Sequence, residues 1–515
     1  MKLPVLGLLV YAATAVQALH PITIKGHKLF DSVTKNQFFI KGVAYQPRGE
    51  SFNKTSSNSI LADPLADPAA CARDASLMQK LGLNVVRVYE VDPSKNHDQC
   101  MKSFADAGIY ILLDIATPRF SVNRKSPEYN VRLYDAYIKT VDAFADYDNI
   151  LAFIAGNEVT NDKTNTPASA YVKAAIRDVK RFIKTTKKRY IPVGYASNDD
   201  EYIRDAIKDY FACGDEDSQA DFFGVNMYEW CGSSSFEKSG YADRTKEFSN
   251  FAKPVFLSEF GCNLVTPREF TEVEAIFGSE MTDVWSGGVV YEWTQENNNY
   301  GLVKVDSGKA ELLTDYNNLQ KALAKAKPKG VNMDAFNEER QAPQCPQHSE
   351  NWKASTDLPP TPSAGACECM RDNLSCGASE EIMNADGMNG DNPIGAQIDM
   401  LCGMVSCDEI SGDAEKGRYG AFSFCSPSEK LSWLYNLYMQ NNKQGKCDFE
   451  GNAQSLTPKR DDLQTCADIQ PDMDSASHGN GGGQNSSDAS ITRSEISSLV
   501  SMIFFVVATF ALVEF

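Results

Sequence analysis

The sequence predicts an α/β protein, a closed (β/α)8 barrel followed by a small disulfide-rich module. Three observations carry this expectation. Between His20 and Lys329, apolar runs of strand length alternate with helix-patterned segments, and strict alternation implies a parallel sheet that eight repeats can close. A Pro-containing stretch at 351–366 then separates cysteines 71, 100, 213, 231, 262 and 345 from cysteines 367, 369, 376, 402, 407, 425, 447 and 466. Both sets are even, so each part can close its own bridges. Finally, 515 residues are enough for a barrel of about 250 residues or more with a second, smaller domain.

The chain opens with Lys2, an apolar stretch from Leu3 to Ala15, and Val16-Gln17-Ala18. A charged start, a short hydrophobic core and small residues at the cut form a secretory signal. Cleavage is expected after Ala18, giving a signal peptide over 1–18 and a barrel over 19–350. The expected strands are Gln37–Val43, Asn84–Tyr89, Ile109–Ile115, Ile150–Glu158, Tyr190–Tyr195, Phe222–Tyr228, Pro254–Glu259 and Gly288–Trp293. Several lack polar alternation, as strands buried on both faces do. Apolar residues at i, i+3, i+4 spacing predict helices over Ala70–Leu81, Val131–Tyr147, Ala168–Thr186, Ile203–Phe211 and Pro267–Val284, with another around Tyr241–Phe251.

Pro359, Pro360 and Pro362 with Ser, Thr and Gly mark 351–366 as a linker. The module over 367–466 is Cys-dense and carries an amphipathic helix at Pro427–Met439. Disulfides would supply stability that a core of that size lacks. After it come a flexible stalk over 467–485 and an apolar tail, Leu499 to Val513, behind a polar spacer and small residues. That order is the glycolipid-anchor signal. The expected attachment residue is Asn485, with Gly482 or Gly483 as alternatives, and 486–515 is the propeptide removed. Asn53 and Asn373 stand in N-glycosylation triplets, as does Asn485.

The formal net charge of −19 argues against nucleic acid, since phosphate neutralisation needs Lys and Arg. A neutral polymer such as a sugar chain fits better. Fourteen cysteines behind a secretory signal read as disulfides, and five scattered histidines do not supply a zinc site or a Ser-His-Asp triad. No metal or organic cofactor is expected. In a barrel of this kind, polar residues at the C-terminal strand ends build the site. Glu158 in Gly156-Asn157-Glu158 ends the fourth run and Glu259 in Phe256-Leu257-Ser258-Glu259-Phe260-Gly261 ends the seventh. Two such carboxylates fit retaining glycosidic cleavage, one as nucleophile and one as acid/base. Tyr228 is placed to donate to the nucleophile and Asn157 to hold a sugar hydroxyl. Asp114 is either a groove residue or a structural partner for an Arg or Tyr. Glu229 and Glu292 are rivals, but alternation along a strand turns them outward if Tyr228 and Tyr291 face in.

At this point the chain resembles the fungal cell-wall β-1,3-glucanosyltransferases of the Gas/Gel/Phr type, glycoside hydrolase family 72. The resemblance runs from Ile22 to about Cys466. It rests on Phe39-Ile40-Lys41-Gly42-Val43-Ala44-Tyr45-Gln46, Asn84-Val85-Val86-Arg87-Val88-Tyr89, Ala155-Gly156-Asn157-Glu158-Val159, Gly224-Val225-Asn226-Met227-Tyr228-Glu229-Trp230-Cys231 and Leu257-Ser258-Glu259-Phe260-Gly261-Cys262. It implies a retaining enzyme that cleaves inside a β-1,3-glucan and passes the glycosyl-enzyme to the non-reducing end of another glucan. By the same resemblance Glu158 is the acid/base and Glu259 the nucleophile. Tyr89, Asn157, Asp199, Arg204 and Tyr291 match positions that bind donor or acceptor. Gln46, Asp114 and Tyr228 line the same groove. It also implies bridges Cys71–Cys100, Cys213–Cys345 and Cys231–Cys262. The module resembles the X8 domain, carbohydrate-binding module family 43, in which Phe422, Phe424, Trp433 and Tyr435 are either sugar platforms or core. The expected partners are β-1,3-glucan chains and a lipid anchor, at the outer face of the plasma membrane and in the wall. Two other readings fit the residues: an endo-β-1,3-glucanase with water as acceptor, and a noncatalytic wall-glucan-binding protein.

Overall fold

The computed structural model describes residues 19–47, 63–385, 393–442 and 445–471. The expected signal peptide, the triplet at Asn53 and the anchor residue Asn485 lie outside them. The first strands, β1 (Ile22–Lys25) and β2 (Lys28–Asp31), form an antiparallel hairpin. Eight parallel strands then close a barrel: β3 (Ile40–Ala44), β4 (Val85–Val88), β5 (Tyr110–Asp114), β6 (Ile150–Asn157), β7 (Val193–Asn198), β8 (Phe223–Asn226), β9 (Val255–Phe260) and β10 (Trp285–Val290). This is the expected fold class, strand for strand.

Closure of β10 onto β3 depends on Gly287, which pairs with Ile40. Its φ is +97°, and a Cβ there would come 2.2 Å from the Ile40 carbonyl oxygen. Only glycine fits that close approach. The barrel interior is apolar toward its N-terminal end. Ile40, Val85, Leu112, Ala152, Phe222, Phe256 and Val289 pack there, with Ile22 and Leu29 of the β1–β2 hairpin beneath them. The hairpin therefore stops the bottom of the barrel, and polarity collects at the other end.

The connecting helices are α1 (Pro68–Leu81), α2 (Asp98–Asp106), α3 (Val131–Phe144), α4 (Ala168–Thr186), α5 (Arg204–Ala212), α6 (Tyr241–Glu247), α7 (Glu272–Ile276) and α8 (Thr314–Lys325). Asp67 caps α1 by accepting from the Ala69 and Ala70 amides, and Gly82 ends it in the left-handed conformation. The sequence also signals α3, where Asn130 accepts from the Leu133 amide. The long helix expected over Pro267–Val284 is instead the five-residue α7 between turns. Phe270 has φ +55°, which a continuous right-handed helix does not admit. The helix expected around Tyr241–Phe251 ends at Glu247. The β1–β2 hairpin, α2 and α8 are elements that the periodicity did not signal.

The stretch 351–366 lies against the barrel. Trp352 is 1% exposed, with its ring 5.1 Å from that of Tyr210 on α5. The Tyr210 hydroxyl donates to the Ser355 carbonyl at 2.5 Å, and the Thr361 hydroxyl donates to Asp178 on α4 at 2.7 Å. Beyond it come α9 (Ala364–Asp372), α10 (Glu380–Ala385), α11 (Pro393–Cys402) and α12 (Pro427–Asn441). Seven bridges take all the cysteines. Cys71–Cys100, Cys213–Cys345 and Cys231–Cys262 lie in the barrel part, and Cys367–Cys425, Cys369–Cys466, Cys376–Cys447 and Cys402–Cys407 in the module. Phe422, Phe424 and Tyr435 belong to the module core, and Trp433 packs half-buried against Phe422. Asn373 Nδ2 donates to the Cys369 carbonyl and to Cys466 Sγ, at 3.0 and 3.4 Å. A glycan on Asn373 would replace one of the two Nδ2 hydrogens, so only one of these contacts could persist.

Module and barrel meet through backbone and side chain. The Val131 amide donates to the Phe424 carbonyl at 2.9 Å, and Lys430 pairs with Glu128 at 2.8 Å. Trp352 is the apolar anchor of the connecting stretch. Trp352→Ala should cost about 3–5 kcal/mol of unfolding free energy. Trp352→Phe should cost much less, because the indole N–H is buried without a partner. Equilibrium denaturation of the two variants checks this ordering.

Candidate active site

The C-terminal ends of the barrel strands enclose a cavity of about 640 Å³. Glu158, just past β6, and Glu259, on β9, both face it. Gln46, Tyr89, Asp114, Asn157 and Tyr291 share its wall. The organising group beneath them is Arg87, fully buried on β4. Its Nε and Nη2 donate to the two oxygens of Asp114 at 3.0 and 2.9 Å. Nη2 also donates to Asn157 Oδ1 at 2.9 Å. Nη1 donates to the Ser258 carbonyl at 3.1 Å and to Glu259 Oε1 at 3.2 Å. One side chain thus ties β4 to β5, β6 and β9.

Glu259 accepts three side-chain donors. Besides Arg87, the Tyr89 hydroxyl reaches Oε1 at 2.9 Å, and the Tyr228 hydroxyl reaches Oε2 at 2.8 Å. Burial still pushes Glu259 above the ordinary carboxylate range; Arg87, Tyr228 and Tyr89 pull it down, and nearby Glu158 pushes it up. Asp114 is likewise raised by burial and held down by Arg87. The donor set belongs to a carboxylate kept ionised in a low-dielectric site.

Glu158 is held differently. Its φ is +49°, the left-handed region that a non-glycine residue adopts at a cost. The Glu158 amide donates to the Ala196 carbonyl at 2.9 Å, and its carbonyl accepts from Arg124 Nη2 at 2.7 Å. Its Oε1 accepts from Asn226 Nδ2 at 2.7 Å. Asn157 Oδ1 is taken by Arg87 and Asn226, so the donor end of that amide is the end left for the cavity. Gln46 Oε1 accepts from the Tyr89 and Glu90 amides, both at 3.1 Å, and shapes the turn after β4.

Tyr228 lies behind Glu259, with Tyr291 and Tyr300 packed edge-on around it. Asp199 and Arg204 are not on the cavity wall. They pair at 3.3 Å in a neighbouring cluster with Arg244, which lies 3.6 Å from Asp199. There burial and adjacent Asp199 push Glu229 up to about 7. Glu292, expected to turn outward, lines the cavity beside Tyr291. β10 has already ended at Val290, so alternation no longer applies.

Sequence reasoning gave no role to Arg87, Asn226, Ser258 or Arg124. The signal for the first three was a polar residue inside an otherwise buried strand. Among the described residues, the two groups with metal-ligand atoms, Cys367–Cys425–Glu429 and Cys369–Asp462–Cys466, spend their cysteines on disulfides.

Comparison with known proteins places this geometry. The glucanosyltransferase family profile matches residues 11–327, and the X8 domain profile matches residues 382–454. The pH-responsive protein 1 of Candida albicans is 45% identical over 455 residues, spanning 87% of this chain and 82% of that protein. The 1,3-beta-glucanosyltransferase GAS2 of Saccharomyces cerevisiae is 44% identical over 436 residues, spanning 81% and 76%. The solved structure of Saccharomyces cerevisiae Gas2p with laminaritriose and laminaritetraose superposes with a TM-score of 0.77 at 42% identity, covering 85% of this chain and 97% of that one.

The Tyr228 hydroxyl donates to the ionised form of Glu259 and so pulls its titration down. Tyr228→Phe should therefore raise the Glu259 titration midpoint. Isotope-edited infrared spectroscopy of the carboxylate checks the sign.

Proposed function

This chain belongs to the glucanosyltransferase family, glycoside hydrolase family 72, and carries a C-terminal X8 domain, and from that premise we propose how its residues divide the work. It is a retaining 1,3-β-glucanosyltransferase acting on β-1,3-glucan donor and acceptor chains. Glu259 is the nucleophile and Glu158 the acid/base. The observation that carries this assignment is the unequal solvation of the two carboxylates. Glu259 receives Arg87, Tyr89 and Tyr228, as a group that must stay anionic requires. Glu158 receives one side-chain donor, Asn226, and keeps an oxygen for proton transfer.

In the first half-reaction a Glu259 oxygen bonds the anomeric carbon. The glycosidic C–O bond breaks, and the Glu158 proton passes to the departing glucan oxygen. In the second, the Glu158 carboxylate takes the proton of an acceptor hydroxyl, whose oxygen displaces Glu259. Two inversions retain the β configuration. Asn226 and Arg87 link the two carboxylates in the hydrogen-bond network. Retention requires the two carboxyl groups about 5–5.5 Å apart, closer than inversion does. Tyr89, Asn157, Gln46, Asp114 and Tyr291 line the donor and acceptor path, with Tyr228 behind the nucleophile and Asp199 and Arg204 beyond the cavity.

We propose that the protein works as a secreted cell-wall enzyme. We further propose that the signal at 1–18 is removed, that Asn53 and Asn373 carry glycans, and that Asn485 or a neighbouring glycine takes a glycolipid anchor at the outer face of the plasma membrane. The domain limits proposed are 19–350 for the barrel and 367–466 for the module.

Glu158→Gln and Glu259→Gln should each lower transfer at least about a thousandfold, measured on a single pure laminari-oligosaccharide. With the unsubstituted enzyme, chromatography should show products longer than the substrate. Shorter products alone would mean that water is the acceptor, and full function of both variants would mean a binding protein. Treatment of intact cells with a phosphatidylinositol-specific phospholipase should release the enzyme; retention would argue against the anchor.

A further inference from the structure

Asn226 ends β8 and is 5% exposed. Its amide faces two ways. Nδ2 donates to Glu158 Oε1 at 2.7 Å and to Asn157 Oδ1 at 3.1 Å. Oδ1 accepts from the Ser258 hydroxyl at 2.8 Å and lies 3.5 Å from Arg87 Nη1. This orientation is enforced. A flipped amide would turn its N–H groups against a guanidinium and its carbonyl against a carboxylate, and neither pair can hydrogen-bond. Ser258 is fully buried and immediately precedes Glu259. Gly224 makes room for it, since a Cβ at that position would come 2.6 Å from Ser258 Oγ.

We propose that Asn226 is the positioning residue of the acid/base and that Ser258 fixes Asn226. This rests on Glu158 being the acid/base. Holding Glu158 by Oε1 leaves Oε2 to carry the transferable proton and turns it toward the cavity. When that proton leaves for the glycosidic oxygen, negative charge forms on a carboxylate already facing an amide donor. In the return step the acceptor hydroxyl gives its proton back to Oε2. Because Ser258 and Glu259 are neighbours on β9, the strand that sets the nucleophile also sets the acid/base through two hydrogen bonds. The proton donor and the attacking oxygen are thereby indexed to one backbone.

An N–H donated to a carboxylate favours its ionised form. Asn226→Ala removes the donor that holds Glu158 Oε1. With laminari-oligosaccharide as donor, kcat should fall about tenfold to a hundredfold. Ser258→Ala should lower kcat on the natural donor by a smaller factor, and it serves if Asn226→Ala does not fold. The discriminating donor is a nitrophenyl β-laminari-oligoside, whose leaving group departs without protonation. Single-turnover release of nitrophenol by Asn226→Ala and by Glu158→Gln should approach that of the unsubstituted enzyme. An unchanged kcat on the natural donor in both variants, or an equal loss on the nitrophenyl and natural donors for Asn226→Ala, would overturn the positioning role. Failure of the nitrophenyl donor to rescue Glu158→Gln would instead overturn the acid/base assignment on which it rests.

Discussion

The site depends on one buried cation. Arg87 has no exposure, and placing a guanidinium there is costly unless its donors find acceptors. They do: Asp114, Asn157, Ser258 and Glu259 between them engage Nε, Nη1 and Nη2. The reverse dependence is as strong. Asp114 and Glu259 are both raised by burial, and Arg87 is the charge that keeps them useful as anions. Breaking such a set by removing one member leaves uncompensated buried charge, at about 3–5 kcal/mol. The carboxylates are therefore held ionised by the same contacts that lock β4, β5, β6 and β9 in register at the top of the barrel.

The barrel separates this polar frame from its apolar support along its axis. At the bottom, Ile22 and Leu29 of the hairpin meet Phe222 and Phe256, which excludes water from the interior. At the top, Arg87, Asn226 and Ser258 replace aliphatic side chains within the strands, and each finds partners there. The frame consumes most of its own hydrogen-bonding capacity. Asp114 has both oxygens on Arg87, and Asn157 has its oxygen on Arg87 and Asn226. Polar groups for sugar hydroxyls must come largely from the loops around it, such as the 117–124 segment that lines the cavity.

Much of this was legible in the sequence. Eight buried runs and their spacing are enough for the barrel, because a parallel strand covered on both faces has a distinctive apolar signature. Glu158 and Glu259 were visible as carboxylates ending such runs. Less visible were elements whose pattern is set by distant partners. The β1–β2 hairpin is too short to show periodicity, and its role follows from the open barrel bottom it fills. Pro267–Val284 has helical spacing, but its apolar residues pack from turns. Arg87 stood in plain view in Val85-Val86-Arg87-Val88, yet its role depends on four strands converging, which sequence order does not display. Asp199 and Arg204 follow β7 as expected but turn toward Glu229 and Arg244, partners more than twenty residues away in the chain.

Transfer and hydrolysis differ only in which hydroxyl reaches the glycosyl-enzyme, and the frame itself does not choose between them. Its donors are fixed on protein acceptors: Tyr89 and Tyr228 on Glu259, Asn226 on Glu158. Preference for a sugar must arise from surfaces that bind a pyranose face and leave water no comparable contact. Tyr291 offers an aromatic ring to the cavity and is packed edge-on against Tyr228 and Tyr300. The same tyrosine cluster carries the hydroxyl that supports the nucleophile. An acceptor ring settling on Tyr291 would thus press on the residues that hold Glu259. A ring bound there and the support of Glu259 would then share one packed unit, and changes in that aromatic cluster would act on both together.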